Sequence, residues 1–236
     1  MVNNKIYILS TRPVGETARA KALQHDIIIE EKSFIETQET VDIYKAKKIK
    51  ELLHQNLQVV FTSMNAVEAV GKMVSEKNDW KIFCIGNTTR KLVKEIFGEK
   101  NIAGTADNAS ALADSIIKTS TKNIVFFSGD QRRDELPEKL KKNHIKVEEI
   151  VVYKTIQTPE LLSKSYDAIL FFSPSAVLSF FSENAINDNT QIFAIGSTTA
   201  RAAKPYTTKP VIIAEKPGKE NLVNLAIKHY SKSPIL

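Results

Sequence analysis

The sequence predicts an α/β protein of two doubly wound parallel-sheet domains, joined by a two-stranded β-ladder linker and related by internal duplication. Three observations lead there. Ile82-Phe83-Cys84-Ile85-Gly86-Asn87-Thr88-Thr89 recurs as Ile192-Phe193-Ala194-Ile195-Gly196-Ser197-Thr198-Thr199, identical at six of eight positions with an offset of 110 residues. The same offset pairs Phe61-Thr62-Ser63-Met64-Asn65-Ala66-Val67 with Phe171-Phe172-Ser173-Pro174-Ser175-Ala176-Val177, and sets Leu112, Ile117 and Lys118 against Leu222, Ile227 and Lys228. One gap-free offset across three segments marks a duplicated unit. Short strands that are apolar throughout also alternate with helix-length segments, the pattern of parallel sheets covered on both faces. The 236-residue length, finally, exceeds one compact domain and accommodates two of about 110 residues. A cleft between the two halves is expected.

Taken in order, Ile6 to Leu9 is a buried strand that stops at Ser10-Thr11-Arg12-Pro13, and a helix follows from about Glu16 to Leu23. Ile27-Ile28-Ile29 is a second strand, and Ser33 to Thr37 alternates polar and apolar like an exposed linker. Val41 to Gln55 reads as a helix with Ile43, Ala46, Ile49, Leu52 and Leu53 on one face. The strand Val59 to Thr62 ends at Ser63, and a helix from about Asn65 carries Val67, Val70 and Met73. Trp80 to Ile85 is a strand closed by Gly86-Asn87, Thr88 opens a helix through Phe97, and Ala109 to Ile117 is a helix with Ser110 as its N-cap.

Ile124 to Phe127 begins again as a strand, ended by Ser128-Gly129-Asp130. The helix from about Asp134 to Lys142 admits Pro137 only in its first turn. Val147 to Thr155 is a long strand leaving through Thr158-Pro159. Ala168 to Phe172, Gln191 to Ile195 and Val211 to Ala214 are strands, each followed by a helix. The last helix covers about Lys219 to His229, and Ser231 to Leu236 is expected to fray.

The opening pair of strands echoes the pair starting at Ile124 and Val147: Ser10 matches Ser128, and Glu30-Glu31 recurs as Glu148-Glu149. Two parses follow, continuous domains or exchanged halves. Exchange is favoured. It places residues 1–34 with 159–236 in one discontinuous domain and inserts 38–152 as the other, with linkers at about 33–37 and 153–158 that can pair as a ladder.

Composition narrows the function. Hydrophobic residues are 42% and charged residues 25%, globular values. No run approaches the roughly 20 apolar residues of a membrane span, so no membrane partner is expected. Met1 to Lys5 runs straight into a strand and leaves no room for a signal peptide, so a cytoplasmic protein is expected. The single cysteine, Cys84, excludes an internal disulfide. A net charge of +6 favours anionic partners, yet the lysines are dispersed rather than striped with aromatics, so no nucleic acid is expected.

The small polar clusters carry the chemistry. Ligands of open parallel sheets bind beyond the carboxyl ends of the strands, and six clusters fall there: Ser10-Thr11-Arg12, Ser63-Met64-Asn65, Gly86-Asn87-Thr88-Thr89, Ser128-Gly129-Asp130, Ser173-Pro174-Ser175 and Gly196-Ser197-Thr198-Thr199. Each precedes a helix, where free N–H groups and hydroxyls receive anions. Ordinary N-caps need the same residue types, so both readings stand. The substrate-binding candidates are Arg12, Ser63, Asn65, Thr88, Ser128, Gly129, Ser173, Ser175, Ser197, Thr198 and Thr199. Asp130, Arg132 and Arg133 could bind an anion or form a solvated loop. Neither G-x-G-x-x-G nor a Walker loop is present. His25, His54, His144 and His229 are scattered without metal spacing, so no metal is expected; Cys84 and Trp80 are core residues. Tyr153 ends a long strand beside a linker, where a phenol could give a proton to a departing oxygen or simply pack.

These motifs together resemble the uroporphyrinogen-III synthase family. The likeness is carried by Thr11-Arg12-Pro13, Phe61 to Val67, Ile85-Gly86-Asn87-Thr88-Thr89, Ser128-Gly129-Asp130-Gln131-Arg132-Arg133, Val151-Val152-Tyr153-Lys154-Thr155, Phe172 to Val177 and Ile195 to Ala200, in that order. Ala66 stands where the family often has glycine, and Phe172 where threonine is common. The resemblance implies two α/β domains joined by a ladder, with the N-terminal segment completing the C-terminal domain. It implies a cofactor-independent lyase that closes linear hydroxymethylbilane to uroporphyrinogen III, with loss of water and inversion of ring D, in haem biosynthesis. Tyr153 matches the family tyrosine proposed to assist hydroxyl departure. A monomer, in at most transient contact with hydroxymethylbilane synthase, is expected. The competing expectation is a non-catalytic two-domain binder of a polyanionic small molecule.

Overall fold

The computed structural model describes residues 5–74, 78–216 and 218–231. The sequence readings for residues 1–4 and the fraying expected over 232–236 lie outside these residues. The chain divides into two compact units, one formed by residues 1–36 with 156–236 and the other by 37–155.

The first unit holds β1 (Ile6–Ser10), α1 (Glu16–Leu23) and β2 (Ile27–Glu31), then β9 (Ala168–Phe171), α7 (Pro174–Glu183), β10 (Gln191–Ala194), α8 (Ser197–Ala203), β11 (Ile212–Ile213) and α9 (Lys219–Ser231). The strands β3 (Ile35–Glu39) and β8 (Lys146–Gln157) each cross the division between units and are neighbours in the sheet of the second. That second unit otherwise holds α2 (Ile43–Leu53), β4 (Gln58–Phe61), α3 (Met64–Gly71), β5 (Lys81–Ile85), α4 (Gly86–Phe97), β6 (Ile102–Ala106), α5 (Ala109–Ile117), β7 (Asn123–Gly129) and α6 (Glu135–Lys142).

The sheet orders are β2-β1-β9-β10-β11 and β3-β8-β7-β4-β5-β6. The strand pairs in the first sheet are parallel, as are β8–β7, β7–β4, β4–β5 and β5–β6 in the second. With β1 matched to β7 and β2 to β8, the five-strand order is the same in both units. The offset of 110 carries β4 (58–61) onto β9 (168–171) residue for residue, and sets α5 and α9 to begin at 109 and 219. The echo of Glu30-Glu31 in Glu148-Glu149 does not survive pairing. Ser10 faces Glu31, whereas its counterpart Ser128 faces Val151, so Glu149 sits two residues earlier in its strand.

Apolar strands explain the layering. Alternate residues of each strand point to opposite faces, and each sheet is packed on both. In the first unit Ile8, Ile27, Leu170 and Phe193 meet Leu222, Val223 and Ala226 of α9, while Leu9, Ile169, Phe171 and Ile192 meet Phe34, Val177 and Phe180 on the other side. In the second, Phe61, Cys84 and Phe127 meet Trp80, Val67 and Phe97; Val60, Phe83 and Phe126 meet Leu112, Ile116 and Leu140.

Local details correct three expectations. Asn108, and not Ser110, caps α5, its Oδ1 accepting from Ala111 N at 2.9 Å; Ser110 lies inside the helix and its Oγ accepts from Lys139 Nζ at 2.8 Å. Ile43 is 78% exposed, because Asp42 caps α2 and the buried stripe starts later, at Ile49 and Leu52. The strand β6 is absent from the sequence reading, although it begins 110 residues before β11. Trp80 is buried, its Nε1 donating to Leu52 O at 2.9 Å. Burial pushes the Cys84 thiol up to about 11, so it stays protonated as a core residue.

Candidate active site

Parallel strands end on a common edge, and ligands bind where the strand order reverses. That point lies between β1 and β9 in the first unit and between β7 and β4 in the second. The sequence-predicted residues therefore fall into two sets. Arg12, Ser173, Ser175, Ser197, Thr198 and Thr199 follow β1, β9 and β10; Ser63, Asn65, Thr88, Ser128, Gly129 and Tyr153 lie at the ends of β4, β5, β7 and in β8.

In the first set, Ser10 and Thr11 spend their hydroxyls internally. Ser10 Oγ donates to Arg12 O at 2.6 Å and Thr11 Oγ1 to Leu170 O at 2.8 Å, which fixes the turn that presents Arg12. Arg12 is exposed, with its guanidinium 5.7 Å from the centroid of the Phe172 ring. Protein crowded around it nevertheless desolvates the group and lowers its pKa below that of a free guanidinium. Phe172, standing where threonine is common, is the aromatic platform of the arginine, a contact worth about 0.5–1 kcal/mol. The start of α1 is already occupied, because Glu31 Oε1 accepts from Val14 N at 2.9 Å and from Gly15 N at 3.3 Å.

Ser63 and Ser173 are equivalent N-caps. Their Oγ atoms accept from Ala66 N at 3.3 Å and from Ala176 N at 3.1 Å. The two echoed glycine turns differ from these: neither α4 nor α8 has a side-chain cap. Gly86 adopts φ of 75°, a conformation that favours glycine. Thr88, Ser197 and Thr198 are exposed around these helix starts, whereas Thr199 is 2% exposed and packs inward. Asn65 and Ser175 are half-buried in the first turns of α3 and α7.

In the second unit, Ser128 is 1% exposed, and its Oγ donates to Glu149 Oε1 at 2.9 Å. Its hydroxyl orients a carboxylate instead of being presented to a ligand. Arg132 grips the same carboxylate through Nε at 2.6 Å and Nη2 at 2.8 Å and also pairs with Asp134. The bonds from Arg132, with the Ser128 bond helping and partial burial opposing, hold the Glu149 carboxyl below its ordinary 4.5. The bond to Glu149 likewise raises the Arg132 pKa. Arg132 is thus a brace of the loop between β7 and α6.

The sign of the pH effect follows. A depressed folded pKa gives stability that is present above the unfolded value and fades as pH falls through the folded one. Glu149→Gln is expected to cost about 1–2 kcal/mol at neutral pH. Its urea midpoint should then decline less than that of the parent as pH drops below the ordinary carboxylate value. Parallel decline of both proteins would show that the pair contributes nothing to the acid limb.

Tyr153 is half-buried against the cluster of Phe61, Phe127 and Trp80. It faces Gly129 across the β7–β8 ladder, and its hydroxyl makes no hydrogen bond among the described residues. Gly129 is itself buried, so it is covered by this ring and not displayed to a ligand. The four histidines are exposed, and among the described residues no group of His, Cys, Asp and Glu could hold a metal ion. No described helix is long and apolar enough to cross a membrane.

Twin units of one strand order, with an arginine and hydroxyl-bearing turns at the carboxyl ends of their strands and a tyrosine beside one of them, define a class: duplicated α/β proteins with polar turns at both switch points. The family model for uroporphyrinogen-III synthase HemD matches residues 17–224. The chain belongs to the uroporphyrinogen-III synthase family. It is 24% identical over 211 residues to the uroporphyrinogen-III synthase of Saccharomyces cerevisiae, covering 74% of this chain and 76% of that one. The Schizosaccharomyces pombe synthase is 22% identical over 200 residues, covering 75% and 77%. The fold is shared with the uroporphyrinogen-III synthetase of Helicobacter pylori, with a TM-score of 0.66, 17% identity and coverage of 95% and 99%. A mutant synthase from Thermus thermophilus gives 0.58, with 15% identity and coverage of 95% and 98%.

Proposed function

We propose that this chain closes hydroxymethylbilane to uroporphyrinogen III with Tyr153 as proton donor to the departing hydroxyl. Loss of water leaves an azafulvene, whose electrophilic carbon is attacked by the substituted carbon of ring D to give a spiro pyrrolenine. The older methylene bond to that carbon then breaks, leaving an azafulvene on ring C, and re-forms at the free α-carbon of ring D; loss of the proton from that carbon restores the pyrrole, now inverted. The observation that carries the role is the Tyr153 phenol, seated at the carboxyl end of β7, whose hydroxyl has no hydrogen bond among the described residues. Arg12 on Phe172, the capping serines Ser63 and Ser173, and the uncapped starts of α4 and α8 with Thr88, Ser197 and Thr198 supply the grip on acetate and propionate groups. Helix N-termini favour such carboxylates. Asn65 and Ser175 lie in the turns beside them, while Ser128 and Thr199 support from behind. Holding the linear substrate so that its ends meet supplies rate through orientation.

The experiment is direct. Purified protein is incubated with freshly made hydroxymethylbilane, and the oxidised products are resolved into type III and type I porphyrin. Predominant type III is the expected result; type I alone, as in a protein-free control, removes the reading.

A further inference from the structure

We propose that Gly129 and Asp130 are positioning residues for Tyr153, and that a β-bulge at Val152 turns its ring onto the sheet face where the missing glycine side chain leaves room. This rests on Tyr153 acting as proposed above. The register carries it. β7 and β8 pair Ser128 with Val151 and then Gly129 with Tyr153, so Val152 is an extra residue on β8. A bulge bends its strand and re-aims the side chains beyond it. In regular alternation Ile150 and Val152 would face one side and Tyr153 the other. Instead Ile150, Val152 and Tyr153 all pack on the cluster containing Val125 and Phe127.

Gly129 continues the Val125–Phe127 alternation, so any Cβ there would point into that same layer. It would run into Tyr153 Cζ and lie 2.6 Å from Cε2 and 2.7 Å from the phenol oxygen. These are distances no side chain tolerates, and they involve the reactive end of the ring. The phenol end of the ring therefore occupies the space a side chain at 129 would fill. Asp130 fastens the strand on either side of it: its N–H donates to Tyr153 O at 3.1 Å, and its Oδ1 accepts from Thr155 N at 2.9 Å. The Ser-Gly-Asp run is thus one device: a brace to Glu149, a slot for the ring and a clip on the strand that bears it.

Steady-state formation of type III product tests this in folded enzyme, with circular dichroism confirming the fold of each variant. Gly129→Ala should lower kcat by about 10²-fold, the scale of an ångström-sized misplacement of a catalytic group, with KM little changed. The diagnostic arm is the same substitution in a Tyr153→Phe background, where it should remove almost nothing further because the displaced hydroxyl is already gone. Asp130→Ala should lower kcat about 10-fold by freeing the strand, and Asp130→Asn, whose amide oxygen accepts the same bond, should recover most of that loss. If Gly129→Ala does not fold, the aspartate pair decides the matter through the same cycle with Tyr153→Phe. A folded Gly129→Ala enzyme with parental kcat overturns the proposal. So does an equal loss with and without the Tyr153 hydroxyl, which would mark the glycine as merely structural. Parental kcat in Tyr153→Phe alone would instead remove the role given to the tyrosine.

Discussion

Tyr153→Phe is expected to lower kcat for uroporphyrinogen III by two to three orders of magnitude while KM stays nearly constant. General acid assistance is worth about 10²–10⁴-fold in rate, and the hydroxyl is the only group this substitution removes. The benzene ring keeps its contacts with Phe61 and Phe127 and its seat on Gly129, so neither fold nor grip on the carboxylates should suffer. A group that acts only as the C–O bond breaks lowers kcat and kcat/KM equally. The measurement is initial velocity against fresh hydroxymethylbilane, with the isomers resolved because unassisted closure accumulates as substrate persists. A kcat within about twofold of the parent, well short of any general-acid contribution, would leave the tyrosine a packing residue.

The parts of the fold legible in the sequence are those that repeat. Because β4 and β9 share one offset, and α3 and α7, α4 and α8, α5 and α9 follow it, a single alignment places half of each unit. What did not show is instructive. Ile102-Ala103-Gly104-Thr105-Ala106 forms β6 although it carries one large apolar residue, because Gly104 lets Phe83 approach from the neighbouring strand; a Cβ there would lie 2.8 Å from the ring. Pairing makes that strand, and pairing is invisible to local propensity. The sites divide in the same way. Apolar runs ending in Ser, Thr or Gly marked the strand ends, but which hydroxyls are spent inside depends on distant partners. Thr11 bonds the carbonyl of Leu170, and Ser128 bonds Glu149. Nor could local reading show that Phe172 supports Arg12, or that Gly129 is small on account of Tyr153.

Trp80→Ala is the substitution expected to cost most stability, about 3–5 kcal/mol from the lost side chain and its cavity. Trp80 is 1% exposed and lies with ring centroids 5.7 Å from both Phe97 and Phe127. Phe127 in turn stacks on Phe61 at 5.4 Å, so the indole closes an aromatic layer that spans β4, β7 and α4. Its removal also takes from the Leu52 carbonyl one of two donors, since Gln55 N still donates to it at 3.0 Å, adding about 0.5–1.5 kcal/mol. Domains hold about 5–15 kcal/mol in all, so this one change takes a large share. The buried clusters around Trp80 contain only residues of 37–155, so the damage should be regional. Amide hydrogen exchange should show protection falling in β4, β5 and β7 while β1, β9 and β10 keep theirs. Trp80→Phe should fall between, restoring packing but not the bond to Leu52. An even loss across all the strands would instead mean that the two cores unfold as one cooperative body. Since Phe127 is two residues before Gly129 in β7, activity should follow the folded fraction of this unit: depressed at assay temperature, and regained on cooling with KM unaltered.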